Sequence, residues 1–154
     1  MPHPRDFAPG TFLRIPLDDG SFGYGRALAH GYIAFYDHRT TAPSSDLDEI
    51  AARPLRYTLS VRLTDPSRWV AIGRRELEGE VARPPVFFTQ DLADYRDCEI
   101  YDTEGMKRRA TPEECVGLER AGAWEQHGVE KRLLDNFLGR PNFTELDSAV
   151  RLSD

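Results

Sequence analysis

No apolar run in this 154-residue chain approaches the ~20 residues that a membrane-spanning helix needs. The opening MPHPRDFAPG likewise lacks the apolar segment of a secretory signal, so the chain is expected to be cytoplasmic and to have no membrane partner. Cysteine is scarce. Cys98 and Cys115 are the only two, with no CxxC near them, and a reduced pair is preferred over a disulfide. His3, His30, His38 and His127 do not stand at metal-ligand spacing from one another or from a cysteine, and HExxH is missing, so no metal is expected. The Walker, dinucleotide and GxSxG glycine patterns are missing as well. GYGR at 23–26 contains GxG, but it lies inside a strand pattern with no helix start behind it to hold a phosphate. Cys115 follows Glu113-Glu114, whose negative charge raises a thiol's pKa, which argues against a nucleophile. Acid pairs such as Asp18-Asp19 suit turns better than acid/base work, because neighbours on a strand point to opposite faces. Neither enzymatic activity nor a cofactor is expected.

Clustered positive charge is also missing. The net charge is −6, and residues 1–90 balance 11 Arg against 11 acids. Residues 91–104, DLADYRDCEIYDTE, hold Asp91, Asp94, Asp97, Glu99, Asp102 and Glu104 against Arg96 alone, a net of −5. Binding nucleic acid through phosphates needs a basic surface and is therefore not expected. A basic partner fits the charge better, and these six acids are the candidate partner-binding residues.

With 40% hydrophobic and 30% charged residues the composition is that of a globular protein, and the length is most economically one domain over residues 1–154. Residues 1–10 read as an irregular lead-in, 11–122 as mostly β, 124–139 as a helix and 140–154 as a tail. The stretch TFLRIPLDDGSFGYGRALAH organises the rest: two strands joined at Asp18-Asp19-Gly20-Ser21. Leu13, Ile15 and Leu17 share one face of the first strand, with Phe12 and Arg14 on the other. On the second, Gly23, Gly25, Ala27 and Ala29 form a face with almost no side chain, so a curved sheet or a helix must approach its backbone closely. YIAFY at 32–36 is a third strand. Ser44 or Ser45 is placed to cap a short helix whose first turn holds Asp46, Asp48 and Glu49. In 55–63, Leu55, Tyr57, Leu59, Val61 and Leu63 alternate with polar residues, and Asp65-Pro66-Ser67 ends the strand. WVAI at 69–72 is a short apolar run before Gly73; strands are read at 86–88, where Pro84-Pro85 suggest an edge or an entrance, and at 98–101, after which Gly105 turns the chain into 106–111. Val129, Leu133, Leu134, Phe137 and Leu138 make an amphipathic stripe, with Lys131, Arg132 and Asp135 on the outer side, Gly139 as the C-cap and Pro141 beyond it. The expected fold is α+β: a mainly antiparallel, strongly twisted or partly barrel-like sheet with the C-terminal helix packed against it.

The run GTFLRIPLDDGSFGYGRAL, then YIAFYD, RWVAIG, PPVFF and ECVGLERAGAWEQHGVEKRLLDNFLGRPN, resembles the immunity protein 26 family of bacterial polymorphic toxin systems over roughly residues 10–143. That resemblance implies a protein that binds and neutralises a cognate toxin, with no catalytic residues and no cofactor. Two alternatives stand beside it. One is a small-molecule-binding or enzymatic barrel-like domain with a pocket lined by Tyr24, Tyr32, Tyr57 and Trp69. The other, a nucleic-acid-binding barrel, lacks the basic run it needs.

Overall fold

The computed structural model describes residues 7–64 and 67–154. Most of the lead-in (residues 1–6, His3 included) and Asp65-Pro66 of the expected turn lie outside the described residues. In chain order the elements are β1 (Thr11–Pro16), β2 (Phe22–Ala27), β3 (Tyr32–Thr40), α1 (Leu47–Ala51), β4 (Leu55–Arg62), β5 (Val70–Arg74), β6 (Val86–Gln90), β7 (Cys98–Asp102), β8 (Lys107–Ala110), β9 (Glu119–Arg120), β10 (Ala123–Glu125), α2 (Gln126–Phe137) and α3 (Phe143–Ser148). Packing groups them into two compact units, Met1–Ala82 with Ala123–Asn142, and Arg83–Gly122 with Phe143–Asp154.

The first unit is built on a six-stranded sheet of order β10-β4-β3-β2-β1-β5, antiparallel except where β10 runs parallel to β4. The second carries a four-stranded sheet, β8-β7-β6-β9, with β6 and β9 parallel. The α+β class follows from the alternation, and both sheets are open. Two local readings change: β6 lies between β7 and β9 instead of at an edge, and Trp124 sits in β10 before the helix begins. Strands of two and three residues carry too little alternation to be read from sequence.

The first sheet is buried on both faces, which is why β1 is apolar on both. Leu13, Ile15 and Leu17 pack with Ile33, Phe35, Leu59 and Val61 against Val129, Leu133 and Leu134 of α2. Phe12, Tyr24 and Tyr36 pack on the other face around Ile50 of α1. The bare face of β2 is where the helix comes down. A Cβ placed on Gly23 would lie 3.4 Å from Leu133 Cδ1 and 3.9 Å from Phe137 Cε2, ordinary contact distances with no room for a longer side chain.

Further along, β3 and β4 lose register between Phe35 and Tyr36, so that Tyr36 pairs with Leu55 and Arg56 is left over. This bulge turns Leu55 away from Tyr57 and into the cluster around Ile50, against the expected alternation. The cap of α1 is Asp46, which accepts from Glu49 N at 3.1 Å, while Ser44 Oγ accepts from Asp46 N one step earlier. Gly139, at φ 69°, ends α2 as expected, and Arg140 N donates to Asp135 O at 2.8 Å. Leu138 is 44% exposed, so the stripe stops at Phe137.

Asp19 fastens the β1–β2 turn. Hydrogen bonds from the Ser21 hydroxyl and Ser21 N, then from Arg39, hold its carboxyl down from 3.8 to about 2. A depressed carboxylate stabilises above its unfolded pKa and ceases to do so as pH falls through the folded value. Asp19→Asn should therefore be less stable than the parent at neutral pH in urea denaturation, with the gap closing between about 4 and about 2; a gap of constant size contradicts the assignment. In the same assay Leu133→Ala should cost about 2–5 kcal/mol, and Leu138→Ala less than about 0.5 kcal/mol.

Candidate protein-binding surface

All six acids of the 91–104 segment lie in the second unit, and strand pairing gives most of them a local task. Asp91 Oδ2 accepts from Ala93 N and Asp94 N, both at 2.8 Å, and Asp94 Oδ1 accepts from Arg96 N. These bonds fold the β6–β7 loop back on itself. At the other end of β7, Asp102 Oδ1 accepts from Glu104 N at 2.8 Å and Met106 N at 3.0 Å, closing the turn into β8. Between the ends, β8 carries Lys107-Arg108-Arg109 antiparallel to β7, in the register Glu99↔Arg109 and Tyr101↔Lys107. Lys107 stands 3.6 Å from Glu99 and Arg109 stands 3.2 Å from Asp97. The acidic run thus meets a basic run across the hairpin, and residues 91–110 hold six acids against four bases, a net of −2. Asp91, Asp94 and Asp97 precede β7 and Asp102 and Glu104 stand at its far end, about 16 Å away, with Glu99 inside the strand.

The end at the β6–β7 loop is the more accessible. Leu92 is 90% exposed at its tip, between Asp91 and Asp94. The tip is braced: Gln90 Nε2 donates to Tyr95 O at 2.7 Å and to Arg151 O at 2.8 Å, and Arg151 Nη2 donates to Asp91 O at 2.6 Å. Along β7 towards the other end, Thr89, Glu99, Tyr101, Asp102, Met106 and Lys107 line an open depression of about 370 Å³. The exposure of Leu92 leaves no mark in a sequence where DLAD reads equally well as a solvated turn.

In the first unit, α2 buries more polarity than its stripe suggests. Lys131 is exposed as expected, but Arg132 and Asp135, placed on the outer side by the stripe, are 3% and 4% exposed. Arg132 stacks on Tyr57 at 3.8 Å and faces Trp124 at 4.9 Å, because its edge of the helix lies over β4 and β10. One turn on, Tyr57 Oη donates to Asn136 Oδ1. Asp135 accepts from Arg140 Nε at 3.1 Å and Asn142 Nδ2 at 3.0 Å, residues beyond the cap that fold back over it. Glu130 is buried too and accepts from Trp69 Nε1 at 2.7 Å. Periodicity reports where apolar residues go; it cannot report polar ones buried beside them.

Tyr24, Tyr32, Tyr57 and Trp69 do not line one pocket. Tyr57 and Trp69 pack on Phe35 under α2, whereas Tyr24 lies on the opposite face with Phe12, and Tyr32 packs beside Leu28 and Ala34. Cys98 and Cys115 are free, buried and in one apolar cluster with Phe88 and Ile100. Burial, followed by the Cys98 thiol beside it, pushes the Cys115 thiol up from 9.0 to about 11. Native Cys115 should therefore resist alkylation by iodoacetamide at pH 8 and react once urea unfolds the chain. Stability should also fall as pH rises from about 9 towards 11, since the unfolded thiol loses its proton first. Rapid alkylation of the folded protein contradicts this.

Comparison with known proteins adds what the geometry leaves open. Neither the curated proteins nor the solved structures offer a match to this chain. The family model described as Immunity protein 26 matches residues 8–99, more than half of the chain, from the lead-in to the start of β7. The chain belongs to the immunity protein 26 family, and its role is that of an immunity protein in a toxin system.

Proposed function

We propose that the protein neutralises its toxin by binding it directly, as a preformed surface on which no bond is made or broken, and that the acidic segment of the second unit supplies part of that surface. Family membership carries this reading. The braced β6–β7 loop supports its location. A loop already held by side-chain bonds from Gln90 and Arg151 loses little freedom on binding, so more of its contact energy appears as affinity. Leu92 is the apolar anchor of the surface, and Asp91 and Asp94 rim it. Asp97, Glu99, Asp102 and Glu104 extend it along β7, where a basic partner would compete with Lys107 and Arg109 for the carboxylates. Such a surface favours a partner that presents an apolar pocket edged by Lys or Arg, and charge complementarity then speeds encounter more than it tightens the complex.

Co-expression with the toxin tests this. Charge reversal across Asp91, Asp94, Asp97, Glu99, Asp102 and Glu104 should abolish protection. Since Asp91, Asp94 and Asp102 also close turns, a narrower variant keeps all three. Leu92→Asp should weaken toxin binding by at least about tenfold, as loss of a central anchor does, while its thermal melt stays that of the parent. Full protection and unchanged affinity in the narrower variant eliminate this surface.

A further inference from the structure

The β1–β2 turn and the first turn of α2 bring together a group that linear spacing among histidines and cysteines does not reveal. His127 and Glu130 are three residues apart on α2 and so share a face, and Asp18 reaches the same place from the turn. The ligand-type atoms of Asp18, His127 and Glu130 all lie within 4.8 Å of one another. Glu130 is 2% exposed, and a carboxylate that deeply buried needs compensation. Its Oε2 receives the Trp69 indole N–H at 2.7 Å. Its Oε1 stands 3.7 Å from His127 Nδ1 and 3.4 Å from Arg68 Nη2, at the end of a side chain that is 63% exposed.

We propose that Asp18, His127 Nδ1 and Glu130 Oε1 form a binding site for a divalent transition-metal ion, with zinc the first choice. One imidazole and two carboxylates are a donor set that zinc takes, at about 2.0–2.2 Å from each, which puts neighbouring ligands of a tetrahedral ion roughly 3.4 Å apart. The His127–Glu130 separation of 3.7 Å is close to that value, so small side-chain rotations complete the arrangement. Calcium, which takes six to eight oxygens, is disfavoured by the imidazole. The indole of Trp69 does for Glu130 what a hydrogen bond behind a metal ligand does: it fixes the carboxylate so that the other oxygen faces the ion. Arg68 occupies the cation's side of the site. The ion must displace its guanidinium, and two carboxylates then face a divalent cation in place of a monovalent one. Asp18 and His127 are exposed, so the fourth position opens to solvent.

The full chain, stripped with EDTA, is titrated with Zn²⁺ by calorimetry and with Co²⁺ by visible absorption. One Zn²⁺ should bind per chain and displace the Co²⁺ bands. His127→Ala and Asp18→Asn should each weaken binding by at least about tenfold, and Arg68→Ala, by removing the competing cation, should tighten it. Independently of any variant, Zn²⁺ should shield His127 from diethyl pyrocarbonate. No saturable binding of either ion, binding indifferent to both His127→Ala and Asp18→Asn, an Arg68→Ala variant that does not bind more tightly, or modification of His127 at an unchanged rate overturns the site.

Discussion

The first unit depends on the seating of α2 against a strand that offers it almost no side chain. Gly23 leaves space for Leu133 and Phe137 to reach the sheet, with the odd positions of β1 and β3 forming the walls of that seat. Close seating has a second effect: neighbouring positions on the helix are covered as well, so Glu130, Arg132 and Asp135 must each find partners out of water. They find an indole, two aromatic faces, and an Arg–Asn pair beyond the cap. Buried polar groups of this kind are costly when half satisfied and orienting when fully satisfied. Here they fix the rotation of α2 about its own axis, which apolar contacts alone specify weakly.

The second unit shows how a fold rewrites the charge map that a sequence suggests. Between Asp91 and Glu104 the chain has five more negative than positive charges, yet strand pairing lays Lys107-Arg108-Arg109 beside them. Exposed ion pairs of this sort add little stability, typically ~0–1 kcal/mol each. Their consequence is for recognition. On the proposed surface, acids that already have cationic neighbours would select for a partner able to replace those neighbours, which is a more specific demand than positive charge alone.

Much of the architecture was legible in the sequence because period-2 alternation and the 3.6-residue stripe are strong over β1, β4 and α2, and because bare positions such as Gly23 demand a neighbour. The family resemblance was legible in the order of the motifs. What escaped had physical reasons. Leu55 changed faces through a bulge at Arg56, which no pattern of residue types announces. β9 and β10, of two and three residues, exist only because longer strands offer them an edge. The six acids could be named but not placed: the strand that neutralises part of them lies downstream of Gly105, and the most exposed apolar residue beside them, Leu92, looked like any loop residue.

Family membership and a braced, partly acidic surface support the proposed inhibition by contact. The most direct measurement mixes the purified chain with its cognate toxin and follows toxin activity and complex formation together. Direct inhibition predicts a saturable complex of fixed stoichiometry, with toxin activity falling in proportion to complex formed and returning when the complex dissociates. A toxin that loses activity at substoichiometric amounts of the chain, or stays inactive after separation from it, would mean that the chain alters its target chemically, and binding as the mechanism would be wrong.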